Sequence, residues 1–226
     1  MKTALCLQHV PFEGPGLFRH SLVNLGYDVH TCLVSEQDIP SLQTDFLLVM
    51  GGPMSANDSD PWMAQEIRFL QQSLTMNIPV IGVCLGAQLL AKALNTPVVA
   101  GPRFEIGMAP ITLTEAGKQD PVFGSLPDTL DVFQWHGEGF EEPPGTMMLA
   151  SSNDYPVQAF RFGTKVYGLL FHLEMNEEGV RALCRECPDD VRRGGVSPDI
   201  LQQTAAQALP TTHQWADRLI AHLTEA

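Results

Sequence analysis

The feature that most constrains this chain is a short apolar run that ends at a cysteine and continues into a helix-forming segment. Residues 79–83 are apolar at both odd and even positions, as expected for a strand buried on both faces of a parallel sheet. After Cys84, leucine and alanine recur at three- and four-residue spacing as far as Leu94, which predicts a helix. The sequence therefore predicts a strand, a sharp turn at Cys84, and a helix.

Gly82 and Gly86 flank Cys84, which gives the Gly-x-nucleophile-x-Gly pattern of a nucleophile elbow. Such a turn is strained by about 1 to 3 kcal/mol, and glycine on either side removes Cβ atoms that would clash. The helix N-terminus favours negative charge, so it would lower the thiol pKa and could hold an oxyanion. The alternative is a buried structural cysteine, but the glycines, the strand and the helix together favour a nucleophile.

The chain has 226 residues, enough for a single α/β domain with a substantial core. We expect one domain over residues 1–226, with its core at about 1–185 and a C-terminal helical extension at 186–226. Alternating strands and helices up to Leu94 predict a doubly wound, mostly parallel central sheet flanked by helices, and a β-rich half follows. The later predicted segments are strands at 97–99, 107–114, 131–135, 147–151, 157–161 and 165–171, helices at 176–186, 198–208 and 212–224, and a polar loop at 188–195.

Charge and hydropathy exclude several classes of protein. Thirteen Lys and Arg against 26 Asp and Glu give a net charge of -13, which argues against binding to nucleic acid or anionic membranes. The first apolar run is too short for a signal peptide, and no segment approaches the length of a membrane span. We therefore expect a cytoplasmic protein.

The five cysteines give no sign of a disulfide framework or a metal site. They are odd in number and scattered. Cys184 and Cys187 have a suggestive spacing, but a zinc site needs a second pair of ligands that the nearby sequence lacks. We expect neither a metal nor a cofactor.

A cysteine nucleophile needs a base, and the base needs an acceptor that orients it. His172 is the best placed of seven histidines, because it follows the predicted buried strand at the strand's carboxyl end. Glu174 is two residues further on, and alternate residues of an extended chain face the same way. The Glu174 carboxylate could then hold one imidazole nitrogen while the other faces Cys84. The alternative is a structural histidine at a strand end.

These residues resemble a known family, the class I or triad glutamine amidotransferases. The likeness lies in Gly51-Gly52-Pro53, in Gly82-Val-Cys84-Leu-Gly86-Ala-Gln88, and in Phe171-His172-Leu-Glu174, and it extends over about residues 1–185. Residues 8–16 and 105–107 look like the stand-alone members similar to the amidotransferase domain of GMP synthase. Most members have Pro where this chain has Leu173, which keeps the spacing of the His and Glu.

The resemblance implies a role for each matching residue. Cys84 would attack the side-chain amide of glutamine to form a thioester, His172 would move the proton, and Glu174 would hold the imidazole. The oxyanion would lie between the backbone N–H groups of Gly52 and Leu85. The resemblance also implies that Gln88, Trp135 and His136 contact the substrate, although Trp135 and His136 could equally be packing residues.

Three functions remain open from the sequence. The first is a glutamine-hydrolysing thiol enzyme, alone or with an unidentified ammonia-accepting synthetase subunit, because nothing in the chain resembles a synthetase domain or a phosphate-binding Gly-x-x-x-x-Gly-Lys loop. The second is a γ-glutamyl peptidase with the same triad, distinguished by the leaving-group side near residues 12–16. The third is a non-enzymatic binding or regulatory module on the same fold, which the intact triad disfavours.

Overall fold

The computed structural model describes residues 2–225, and its centre is a nine-stranded sheet in the order β2-β1-β3-β4-β9-β8-β7-β5-β6. The strands β2, β1, β3, β4 and β9 pair in parallel, and the remaining pairs are antiparallel. The bounds of the strands are β1 Lys2–Gln8, β2 Tyr27–Leu33, β3 Phe46–Val49, β4 Val80–Val83, β5 Val98–Leu113, β6 Thr129–Phe140, β7 Thr146–Ser151, β8 Ala159–Phe162 and β9 Val166–Leu169.

Helices cover both faces of the parallel half of the sheet, which confirms the predicted α/β fold. Side chains of α1 and α7 pack on one face, and side chains of α2 and α3 pack on the other. The strands β3, β4 and β9 are therefore buried along their whole length. The helices are α1 Gly16–Asn24, α2 Pro61–Thr75, α3 Leu85–Ala93, α4 Glu115–Lys118, α5 Glu177–Glu186, α6 Pro188–Gly194 and α7 Pro198–Glu225, and a 3-10 turn spans Phe123–Ser125.

The predicted loop at 188–195 was wrong, because this segment forms the helix α6. Pro188 occupies the first turn, where its missing N–H is not needed, and Asp189 and Asp190 lie at the positive end of the helix dipole. Gly195 ends the helix with a left-handed φ of 66°. Helix α6 packs against β5 and α5.

Two other predicted breaks are also absent. The two C-terminal helices form one helix, α7, with Pro210 inside it. The apolar stripe on this helix continues through Leu209 and Trp215, so burial of that stripe offsets the backbone hydrogen bond that proline cannot make. The predicted strands at 97–99 and 107–114 are one strand, β5, whose register against β6 shifts between Ala100 and Glu105.

The topology brings three sequence motifs to one edge of the sheet. β3, β4 and β9 are neighbours and parallel, so their carboxyl ends meet. Gly51 follows β3, Cys84 follows β4, and His172 follows β9. In open α/β sheets this edge is where ligands bind.

Candidate active site

Cys84 occupies a strained turn between β4 and α3. Its φ of 50° and ψ of -108° lie in a region that side-chain-bearing residues rarely adopt. The backbone N–H of Cys84 donates to the Leu169 carbonyl at 2.8 Å, and the N–H of Gly86 donates to the Met50 carbonyl at 3.1 Å. Both neighbouring strands therefore hold the elbow in place.

The two glycines of the elbow are required by close packing. A Cβ at Gly82 would lie 2.6 Å from Leu90 Cδ1 and 2.7 Å from the Gly86 carbonyl oxygen. A Cβ at Gly86 would collide with the carbonyl oxygen of Val49. The helix α3 can start so close to the sheet only because both side chains are absent.

His172 and Glu174 form a buried, directly hydrogen-bonded pair. The His172 Nδ1–H donates to Glu174 Oε1 at 2.7 Å, and both side chains are almost inaccessible to solvent. The backbone N–H of His172 donates to the Phe133 carbonyl at 2.8 Å, which fixes the start of this segment. The second imidazole nitrogen, Nε2, is buried and has no hydrogen-bond partner among residues 2–225.

That free nitrogen belongs to the side chain that faces Cys84. A Cβ placed on Gly51 would lie 3.4 Å from His172 Cε1 and 3.6 Å from Cys84 Cβ, so the two side chains flank one point. In this structure the thiol lies 3.5 Å from the Trp135 carbonyl oxygen. Catalytic hydrogen bonds are often long or incomplete before substrate binds, so this arrangement of thiol and imidazole is compatible with proton transfer to Nε2.

The ionisation of the pair is coupled. Burial raises the pKa of the Cys84 thiol, while the adjacent His172 imidazole and the N–H of Leu85 act to lower it. Burial alone would lower the pKa of His172, but the Glu174 carboxylate and the Cys84 sulfur together raise it well above 6.5. The site therefore makes the imidazole a strong proton acceptor for the thiol.

Two backbone N–H groups predicted to form an oxyanion hole lie beside the thiol. Gly52 lines the same cavity as Cys84, and its N–H has no acceptor among residues 2–225. Leu85 is the first residue of α3, so its N–H has no acceptor within the helix, and it acts to lower the pKa of the Cys84 thiol. The positive end of α3 adds to this field.

The cavity above Cys84 has a volume of about 200 Å³ and contains all three predicted substrate contacts. Gln88 donates from Nε2 to the Glu138 carbonyl at 3.2 Å. Trp135 presents its carbonyl to the thiol, and its ring N–H donates to Asp190 at 3.3 Å. The lining residues are Glu13, Gly52, Pro53, Met54, Ser55, Cys84, Gln88, Phe104, Trp135, His136, Gly137, Glu138, Cys187, Asp190 and Arg193.

His136 is held in a buried polar network. Its Nε2 lies 2.9 Å from Gln134 Oε1 and 3.3 Å from Glu105 Oε2, and its ring packs edge-on against Tyr155. Burial lowers the pKa of His136 despite the Glu105 carboxylate, so a neutral imidazole is favoured. The network thus occupies Nε2, and a substrate could reach only Nδ1, which is buried without a partner among residues 2–225.

Several charged lining residues were not predicted from the sequence. Glu13 is buried and lies close to His172, and a Cβ on Gly51 would be 2.5 Å from Glu13 Oε2. Glu138 accepts a hydrogen bond from Ser55 Oγ at 2.9 Å. Arg193 stacks on Phe104, with 5.2 Å between the guanidinium and the ring centroid. The sequence predicts that the loop containing Glu13 lies on the leaving-group side, but nothing near Glu13 in the sequence distinguishes its carboxylate.

Two classes of feature are absent from residues 2–225. No cluster of three or more His, Cys, Asp or Glu side chains is arranged to hold a metal ion. None of the helices in this part of the chain combines the length and apolarity that crossing a bilayer requires.

The elbow, the paired His172 and Glu174 and the sheet order define a class of protein, the triad amidotransferases. The family model for "Glutamine amidotransferase class-I" matches residues 17–182, and the chain belongs to this family. The matched range ends before α6, so Cys187, Asp190 and Arg193 of the cavity wall lie outside it.

Individual relatives agree with the family assignment. The chain is 32% identical over 191 residues to the glutamine amidotransferase-like protein YfeJ of Salmonella typhimurium, with 81% of this chain and 80% of that protein covered. It is 30% identical over 141 residues to a subunit of the glutamine-hydrolysing GMP synthase of Pyrococcus abyssi, covering 62% of this chain and 71% of that subunit. The crystal structure of a glutamine amidotransferase from Thermotoga maritima superposes with a TM-score of 0.90 at 25% identity, covering 100% and 99% of the two chains.

Proposed function

We propose that this protein is a thiol hydrolase that releases ammonia and glutamate from glutamine through a glutamyl thioester on Cys84. The observation that carries the proposal is the buried His172–Glu174 pair. Its Nε2, which has no hydrogen-bond partner within residues 2–225, belongs to a ring that flanks the strained Cys84 elbow. A non-enzymatic module would have no reason to keep that nitrogen unsatisfied and that backbone strained.

The first half of the reaction forms the thioester. His172 Nε2 takes the thiol proton, and the Cys84 sulfur bonds to the γ-carbonyl carbon, so negative charge moves to the carbonyl oxygen. The N–H groups of Gly52 and Leu85 would stabilise that oxyanion, at about 3 kcal/mol per donor. The imidazolium then gives its proton to the amide nitrogen, the C–N bond breaks, and ammonia leaves.

The second half of the reaction restores the thiol. A water molecule gives a proton to His172 Nε2 and attacks the thioester carbonyl. The C–S bond breaks, the proton returns to sulfur, and glutamate leaves. Throughout, the Glu174 carboxylate holds Nδ1–H and stabilises the imidazolium that forms in each half.

The cavity also suggests how the amino-acid end of glutamine is bound. Arg193 is the one Lys or Arg among the lining residues; its side chain is 62% exposed, and its one ion-pair contact within residues 2–225 is a long 3.8 Å approach to Asp190. We assign Arg193 to the substrate α-carboxylate. Glu138 and Gln88 face the same cavity and would receive the α-ammonium group.

The size of the cavity favours glutamine over a peptide. Its volume of about 200 Å³ is smaller than the roughly 300–1,000 Å³ typical of sites for drug-sized ligands.

One observation keeps the γ-glutamyl peptidase as a second candidate. A larger cleft of about 710 Å³ shares Glu13 with the site and lies between the 11–16 loop and α5. If Glu13 moved aside, this cleft could accept the amine portion of a γ-glutamyl peptide.

Partner and compartment are further parts of the proposal. The Pyrococcus abyssi relative is named as one subunit of a synthase. By analogy we propose an ammonia-accepting synthetase subunit as a partner, with free hydrolysis as the alternative. Cys84 acts only as a reduced thiol, which suits a reducing compartment such as the cytoplasm.

The proposal is tested by incubating the purified protein separately with glutamine and with a set of γ-glutamyl peptides while glutamate and ammonia are measured. We expect equal amounts of glutamate and ammonia from glutamine. The Cys84→Ala variant should be inactive, and Cys184→Ala, which removes a thiol outside the cavity, should retain activity. If glutamate is released only from the γ-glutamyl peptides and no ammonia is released, the protein is a peptidase and not a glutaminase. Undiminished hydrolysis by Cys84→Ala would reject both.

A further inference from the structure

Another buried ionic pair lies next to Gly51, and the mechanism above does not use it. His9, in the loop after β1, has its Nε2 at 3.1 and 3.2 Å from the two carboxylate oxygens of Glu66 on α2. Both side chains are 0% exposed. Burying such a pair costs hydration energy. The remaining hydrogen bond of the His9 ring indicates what the pair does. That contact is from His9 Nδ1 to the carbonyl oxygen of Gly51, at 3.0 Å.

The chemistry of the partners assigns the protons on the His9 ring. A backbone carbonyl can only accept, so Nδ1 must carry a hydrogen and donate to Gly51. The Glu66 carboxylate favours a hydrogen on Nε2 as well. Burial acts to lower the pKa of His9, but Glu66 and the Gly51 carbonyl outweigh it and raise that pKa. The ring is therefore a charged donor clamped between two acceptors, and it also packs against Trp62 at 5.2 Å.

This clamp acts on the peptide that carries the oxyanion donor. In a trans peptide, the C=O of Gly51 and the N–H of Gly52 point in opposite directions. With the carbonyl held on the His9 side, the Gly52 N–H is directed away from His9. A Cβ at Gly52 would lie 3.0 Å from His9 Cβ on one side and 3.0 Å from Leu85 Cδ2 on the other. The Gly52 residue lies between His9 and the first residue of α3.

The need for a clamp follows from the sequence of the loop. Two consecutive glycines have more backbone freedom than any other pair, so the Gly51–Gly52 peptide could rotate and turn its N–H away from the site. Both must be small, since a Cβ at Gly51 would meet Glu13 and one at Gly52 would meet His9. Rigidity has to come from outside the loop, and an oxyanion donor acts only when it is fixed beforehand.

We propose that His9, anchored by Glu66, is a positioning residue that locks the Gly51–Gly52 peptide with the Gly52 N–H aimed at the oxyanion. The inference rests on the proposed acyl-transfer function of Cys84. It assigns neither residue to substrate contact. Their effect is on the energy of the charged intermediate, through a single hydrogen bond to a backbone carbonyl.

Two substitutions separate the clamp from simple packing. The amide nitrogen of His9→Asn falls near the place of Nδ1, so it can still donate to Gly51. The amide nitrogen of His9→Gln falls near the place of Nε2, so it keeps a contact to residue 66 and loses the donor to Gly51. Both are made in a Glu66→Gln background, so that no unpaired carboxylate is buried.

The readout compares two reactions of the same thiol, each measured on the Cys84 peptide by mass spectrometry. Acyl transfer from p-nitrophenyl acetate passes through an oxyanion, whereas alkylation by iodoacetamide does not. Each double variant is compared with Glu66→Gln alone. We expect His9→Gln to lower the ratio of acylation to alkylation at least tenfold, and we expect the ratio in His9→Asn to stay within threefold of that in Glu66→Gln. With glutamine, His9→Gln should lower kcat by about 10²-fold and leave KM within threefold.

The outcomes are distinct for each hypothesis. An unchanged ratio in His9→Gln would overturn the clamp, as would a parallel loss of acylation and alkylation together with a lower unfolding temperature. If His9→Gln does not fold, Glu66→Gln alone serves, with an expected three- to tenfold loss in the ratio and no loss as the contrary result. Because p-nitrophenyl acetate replaces the natural substrate, a protein that fails to hydrolyse glutamine would refute the proposed function, while the ratio of acylation to alkylation would still test the clamp.

Discussion

Replacing Glu13 by glutamine should make the protein more stable at alkaline pH, and by an amount that the structure sets. The Glu13 carboxyl is 7% exposed and receives no hydrogen bond from residues 2–225. Burial raises its pKa from 4.5 to about 7, with His172 opposing the rise and Glu174 adding to it. A carboxyl whose pKa is higher in the folded protein retains its proton there, so its folded form becomes less favourable as pH rises.

The magnitude follows from linkage. Below the unfolded pKa of about 4.5, wild type and Glu13→Gln both carry a neutral group at this site and should differ little. As pH rises through 7, the wild-type protein loses about 3 kcal/mol of folding free energy relative to the variant, at 1.36 kcal/mol for each pKa unit. Roughly 2 kcal/mol of this should appear between pH 5.5 and 8.5.

Urea denaturation of both proteins at these two pH values measures the effect. Glu36→Gln, which alters an exposed glutamate in the loop after β2, is the control and should show no comparable change. At pH 8.5 the full stabilisation of about 3 kcal/mol is also expected to raise the unfolding temperature of the variant by about 6 to 12 °C over that of the wild type. The assignment of a buried neutral carboxyl is wrong if Glu13→Gln is less stable than wild type at pH 8.5. It is also wrong if the difference in unfolding free energy between the two proteins is the same at both pH values.

Three further predictions concern the site. Glu174→Gln should lower kcat by about 10²-fold with little change in KM, because the carboxylate no longer supports the imidazolium; steady-state kinetics with an unchanged rate would contradict its role. Arg193→Gln should raise KM for glutamine by about ten- to hundredfold, equivalent to about 1.5–3 kcal/mol for a charged hydrogen bond, with kcat within twofold; an unaltered KM would remove Arg193 from the α-carboxylate site. Gly86→Ala should destabilise the fold by about 1–3 kcal/mol through collision with Val49, and a wild-type urea midpoint would contradict this.

The sequence sufficed for the parts of the site that depend on local patterns. Gly82 and Gly86 mark the elbow because their spacing is fixed by a single turn. His172 and Glu174 are two residues apart on extended backbone, and their hydrogen bond in the structure agrees with that spacing. The parallel half of the sheet was equally accessible, because buried strands between helices have a recognisable composition.

The remaining features depend on contacts between distant segments. Nothing near Glu13 in the chain indicates that its carboxylate is buried beside His172, and Arg193 reaches the cavity only because α6 packs against β5. The signals for α6 were present in Pro188, the acidic first turn and Gly195. They were outweighed by the high polarity of the segment. Pro210 indicated a break, but burial of the α7 stripe across it kept one helix.

The most direct test of the account is to trap the acyl-enzyme. Wild-type protein mixed with glutamine, quenched in acid within milliseconds to seconds and analysed by mass spectrometry should carry one glutamyl group, located on the Cys84 peptide. His172→Ala should accumulate little of it, and Cys84→Ala none. A glutamyl group on another residue would contradict the central claim. So would steady release of glutamate with no adduct at Cys84 at any quench time, if Cys84→Ala also hydrolyses glutamine at the wild-type rate.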